Sequence, residues 1–144
     1  DSSATCIACH KSDNKRSHWE GSTHQTRDVT CASCHSVHKD PKPAAQQPDK
    51  CFECHKDKRA ASLRTSTHPI RQGLMPCTSC HQPHGSVGEF SLVKTSVNLT
   101  CYTCHAEKRG PFLFEHAPVR ENCLNCHTPH GSNHDGMSRQ SLPA

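Results

Sequence analysis

Six copies of Cys-x-x-Cys-His constrain this chain more than any other feature it carries. They run from Cys6 and Cys9 to His10, Cys31 and Cys34 to His35, and Cys51 and Cys54 to His55. The others run from Cys77 and Cys80 to His81, Cys101 and Cys104 to His105, and Cys123 and Cys126 to His127. Together they use all twelve cysteines. This spacing is that of c-type haem attachment. The two thiols form thioethers to the porphyrin, and the adjoining imidazole becomes an axial iron ligand. Six covalently bound haem c groups on 144 residues would supply most of the interior.

Composition agrees once the cofactor is counted. A hydrophobic fraction of 31%, 4% aromatic residues and a mean hydropathy of −0.82 are too little for an ordinary core. Haem macrocycles bring the missing apolar surface, so the haem-free chain is expected to be unfolded. The formal charge of +4 suggests a nucleic-acid partner only until the propionates are included. With six haems the net charge becomes about −2 oxidised and about −8 reduced. Many of the seventeen Lys and Arg are therefore expected to offset propionates, and no nucleic acid is expected. The apolar run Phe112-Leu113-Phe114 is far too short for a transmembrane helix. Haem attachment implies export, so the chain is read as mature or trimmed and periplasmic, without disulfides.

The histidines outside the motifs reveal a repeat. His24 lies between the first two motifs and His38 follows the second. His68 and His84 take the same places in the next pair, and His116 and His130 in the last. The unit is CxxCH, a linker with one His, then CxxCHxxH. Three tandem two-haem repeats follow, at residues 1–48, 49–97 and 98–144. Ser3, Asp49 and Asn98 stand where helix N-caps would. Residues 49–61, free of Gly and Pro, predict one continuous helix. Pro83-His84-Gly85 and Pro129-His130-Gly131 end helices, Lys39 to Pro43 reads as an extended linker, and 86–96 as a short extended stretch. The fold class expected is a multihaem cytochrome c. It is mostly coil with short α-helices and almost no β-structure, an elongated haem wire of three two-haem repeats.

Six irons take His10, His35, His55, His81, His105 and His127 as proximal ligands. The repeat nominates His24, His38, His68, His84, His116 and His130 as distal ligands, leaving His18 and His134 as solvated spares. His38 is too close to His35 in sequence to reach the opposite face of the same haem. It is assigned to the haem of Cys6 and Cys9, with His24 on that of Cys31 and Cys34, and likewise in the other units.

Three Cys₄ zinc sites would leave the adjoining histidines unexplained. A thioredoxin-like reading lacks any βαβ pattern. Haems with two strong axial ligands pass electrons, whereas catalysis needs an open position. The chain is therefore read as an electron-transfer protein with no catalytic residue. The alternatives are a small multihaem reductase of nitrite or a similar oxyanion, and a soluble periplasmic shuttle.

Cys101-Tyr102-Thr103-Cys104-His105-Ala106-Glu107-Lys108-Arg109-Gly110-Pro111, Glu115-His116-Ala117-Pro118-Val119 and Pro129-His130-Gly131-Ser132 resemble the MtrA/DmsE-type decahaem cytochromes. Val29 to His35 and Pro83-His84-Gly85-Ser86 fit the same pattern. The resemblance covers nearly the whole chain and implies bis-histidine ligation. It also implies a haem wire inserted from the periplasm into an outer-membrane β-barrel porin. There it would link an inner-membrane or periplasmic donor and other multihaem cytochromes to extracellular acceptors or donors, as in metal-oxide reduction or iron oxidation. Ten haems are usual there. This chain matches a six-haem central portion.

Overall fold

Three apolar side chains are all that the folded polypeptide buries among the described residues: Trp19, Leu92 and Val97. The computed structural model describes residues 2–10, 12–37, 39–40 and 43–141. Its accessible surface is 10857 Å², against about 7,400 Å² expected of a compact monomer of this mass. The polypeptide alone is thus a shell without a filling.

Its elements are short. Seven α-helices occur among the described residues: α1 Ser2–Cys9, α2 Thr23–Thr26, α3 Cys31–Cys34, α4 Gln47–Phe52, α5 Lys56–Ala61, α6 Val97–Cys101 and α7 Ala117–Glu121. The second motifs of the last two repeats form 3₁₀ turns instead, Cys77–Ser79 and Cys123–Asn125. No strand forms among the described residues; pairing is limited to isolated bridges, Ser66 with Ser132, His81 with Leu92 and His127 with Ser138. Helices this short are unstable alone, so tertiary contacts must hold them.

Three local expectations need correction. Residues 49–61 are not one helix, because the chain breaks at His55, whose ψ of 59° turns the imidazole out between α4 and α5. Residues 86–96 form a 3₁₀ turn, Glu89–Ser91, rather than an extended stretch. Ser3, Asp49 and Asn98 lie inside α1, α4 and α6 and do not cap them; Ser96 caps α6 by accepting a hydrogen bond from Leu99 N–H.

Two of those three residues clasp the second motif of their own repeat. Ser3 Oγ accepts from Cys31 N–H at 3.3 Å, and Asn98 Oδ1 from Cys123 N–H at 2.9 Å. In the middle repeat Gln47 Oε1 does the same for Thr78, accepting from its N–H at 3.0 Å and its hydroxyl at 3.1 Å. Each repeat therefore locks its two attachment turns together.

Candidate haem sites

The first cysteines of paired motifs come together. The thiols of Cys51 and Cys77 hydrogen-bond, as do those of Cys101 and Cys123. In the haem-free chain the bond to Cys77, with burial, pushes the Cys51 thiol up, while accepting that bond draws Cys77 down to about 7. Burial first, then Cys123, pushes Cys101 up to about 11. Between repeats, Cys34 feels the charges of Cys51 and Cys54, and Cys80 that of Cys104. Burial is the main reason both are raised. The attachment sites thus follow one another in sequence order from the second to the sixth. All twelve cysteines are free thiols, and no cluster of three or more His, Cys, Asp or Glu converges on a metal position among the described residues.

Histidine rings meet across repeats. His24 lies opposite His55 with centroids 6.1 Å apart, and His35 opposite His84 at 5.9 Å. One repeat further on, His68 lies opposite His105 at 6.2 Å, and His81 opposite His130 at 6.0 Å. Two imidazoles bound trans to one metal ion at about 2.0–2.1 Å per bond have centroids about 6.3 Å apart. Each pair joins a motif histidine to a histidine outside the motifs.

The assignment within repeats does not hold. His24 faces His55 rather than His35, and His68 faces His105 rather than His81. His84 and His130 likewise face back, to His35 and His81. The reason is the clasp: with the two turns of a repeat packed directly together, its linker histidine is carried towards the next repeat. His38 lies outside the described residues. Among the described residues, no histidine ring pairs with His10, His116 or His127. His134 Nδ1 sits 3.2 Å from Ser141 Oγ, apart from every pair.

Hydrogen bonds set the tautomers. The Nδ1–H groups of His24 and His68 donate to the carbonyls of Pro83 and Pro129, at 2.7 and 2.9 Å. That of His84 donates to Lys15 O at 3.2 Å. Among motif histidines, Nδ1–H of His81 donates to Phe90 O at 3.0 Å and that of His127 to Gly136 O at 2.8 Å. A carbonyl can only accept, so Nε2 keeps the lone pair that a metal needs. Burial holds His84 and His130 below the usual imidazole range, which also favours the neutral, ligating form.

Sequence reading missed the loop that makes these bonds. After each of the last two second-position motifs the chain turns back through positive-φ residues, Phe90 and Ser91 or Gly136 and Met137. It then pairs with the motif, through Gln82 N–H to Ser91 O and Thr128 N–H to Met137 O. The signal was a carbonyl donor nine residues beyond each motif histidine, visible only by aligning the two repeats. Two buried donors were also missed: Arg16 Nη2 and Trp19 Nε1 have no hydrogen-bond partner. Trp19 lies edge-on to His84, with centroids 6.3 Å apart. Unpaired buried donors beside a ring pair suit a carboxylate-bearing ligand. The donor set therefore fits haem.

Comparison with known proteins agrees. Residues 68–110 and 116–144 match the doubled CXXCH motif family, half of the chain. The chain is a multihaem c-type cytochrome of that family. Over 122 residues, 83% of its length, it is 49% identical to the multiheme cytochrome MtrA of Shewanella baltica (strain OS185), and it is MtrA-type. The matched stretch spans 36% of that relative's length. Covalent haem c follows from the motifs.

Proposed function

We propose that this cytochrome carries six haems c, each with two histidine ligands, and serves as an electron wire rather than an enzyme. The observation that carries this reading is the set of four ring pairs at metal-bridging separation, each linking one repeat to the next. The cysteine pairs tether the cofactor and the motif imidazoles bind one face. His24, His68, His84 and His130 cover the other face at four sites, excluding substrate from the iron. When bound, the haem supplies a one-electron ferric–ferrous couple. Pro83, Pro129 and Lys15 carbonyls hold the distal rings in their ligating tautomer. Arg16 and Trp19 are placed to receive a propionate at the site of His35 and His84.

The likeness to MtrA supports the setting. In this reading the wire works on the periplasmic side of the outer membrane, against a β-barrel porin and other multihaem cytochromes. It exchanges electrons with an inner-membrane or periplasmic donor and with extracellular acceptors. No helix among the described residues is long and apolar enough to cross a membrane. Electron paramagnetic resonance of the oxidised holoprotein tests the ligation: low-spin signals from the four paired haems are expected. High-spin signal at those four, or nitrite bound there, would overturn it.

A further inference from the structure

The two junctions between repeats follow one rule. The linker histidine of one repeat goes forward to the first haem site of the next, as His24 does to His55 and His68 to His105. The CxxCHxxH histidine of the next repeat comes back to the second haem site, as His84 does to His35 and His130 to His81. At the third repeat, residues 98–144, the rule leaves one outgoing ligand, His116, and one receiving site, the haem of Cys123 and Cys126.

Both are built like their counterparts. His127 has its Nδ1–H on Gly136 O just as His81 has its own on Phe90 O. His116 stands at the start of α7 with no bond to cap it. They differ in exposure: His24, His68 and His81 are half-buried, while His116 and His127 are exposed. The linker beside His116 also lacks cover. Leu113 is 94% exposed and Phe114 92%, whereas Trp19 of the first linker is buried at 9% against the following repeat. A terminal repeat that caps an array turns a polar face outward. This one turns out an apolar run and an unspent ligand, as an internal repeat would.

We infer that the face of the third repeat formed by Phe112–Phe114, His116 and the haem site of His127 is a docking face for a further doubled-CXXCH unit. That unit receives His116 on its first haem and returns its own distal histidine to the haem of Cys123 and Cys126. The inference rests on the bis-histidine reading above. The junctions also say which unit fits. Gly85 and Gly131, directly after the returning histidines, lie against the carbonyls of His18 and Ala61 so closely that any Cβ would overlap them. Their φ values of 95° and 132° are likewise glycine's. The incoming unit must therefore carry His-Gly. The first repeat has Lys39 at that place, so the front of a second copy does not dock there.

The test uses two holoproteins: residues 1–144, and a chain in which residues 1–143 are followed by another copy of 98–144. The bonding register equates position 144 with 98, since Thr128 to Met137 repeats Gln82 to Ser91. Haems open at the sixth position are counted by titration with imidazole. In 1–144, His116→Ala leaves the count unchanged and His68→Ala raises it by one. Adding the extra repeat leaves the count as it was, and His116→Ala in that longer chain raises it by one. His116→Gln gives the same pattern, and added imidazole restores the low-spin spectrum. The inference is overturned if the longer chain gains two open haems, if His116→Ala already opens one in 1–144, or if concentrating 1–144 closes one. If His68→Ala opens none, the bis-histidine reading itself fails, separately.

Discussion

Replacing Gly131 with Ala probes the contact on which the second junction turns. The residue has φ of 132°, and a Cβ there would overlap the Ala61 carbonyl, with Thr67 crowding it as well. Holding a non-glycine residue in such a conformation costs about 1–3 kcal/mol. Overlap with a backbone atom that cannot rotate away costs about another 1–3 kcal/mol. The Ala61 carbonyl cannot easily withdraw: it accepts a hydrogen bond from Arg64 N–H, and Ser132 next door pairs with Ser66 in both directions at 2.9 and 3.0 Å. Summed, about 2–6 kcal/mol weighs against the closed junction, at least a thirty-fold shift towards the open form. Gly21→Ala is the control. Its φ is 77°, yet nothing lies within 4 Å of the new methyl group, so it carries only a backbone cost of about 1–2 kcal/mol. The assay is the low-spin haem signal of each holoprotein across a denaturant series, with imidazole uptake counted at each step. Gly131→Ala should release the ligands at His81 and His105 first and leave those at His35 and His55 in place. Equal costs for the two variants, or early loss at the first junction, would refute the close-approach argument.

Other outcomes follow from the same geometry. His24→Ala should open the haem of Cys51 and Cys54, in the next repeat, and not that of Cys31 and Cys34; mapping the high-spin haem by removing each cysteine pair in turn decides between them. Acid should loosen both junctions. Burial keeps His84 and His130 below the ordinary imidazole range, so the unfolded chain binds the more protons as pH falls below about 6.5. Stability should therefore be level above that pH and fall below it, and a denaturant midpoint that rises on acidification would contradict this. A chain with all twelve cysteines changed to serine should lack a cooperative thermal transition by circular dichroism, because three buried apolar side chains cannot offset the cost of ordering the chain.

Much of the architecture was legible in the amino-acid order because covalent chemistry is local. A haem tether needs two cysteines at one spacing and a histidine beside them, and all six sets are contiguous in sequence. The second histidines recur at fixed places in each repeat, so their role as a set was legible too. Short helices and coil followed from composition. Helix ends were read less well. His55 breaks the helix expected over 49–61, because turning its imidazole outward outweighs the propensity of the residues around it.

Partner choice belonged to the tertiary structure. His24 sits seven residues before Cys31, and sequence distance favours the nearer site. Yet the clasps from Ser3, Gln47 and Asn98 bind the two turns of each repeat together and carry the linker onwards. Thus His24 meets His55, and His68 meets His105, while Pro83 and Pro129 carbonyls fix their tautomers. Sequence alone determined where each haem is tethered and how many imidazoles there are to share. Only the fold decided which imidazole serves which site, because that depends on how repeats pack, and packing joins residues that the chain keeps far apart.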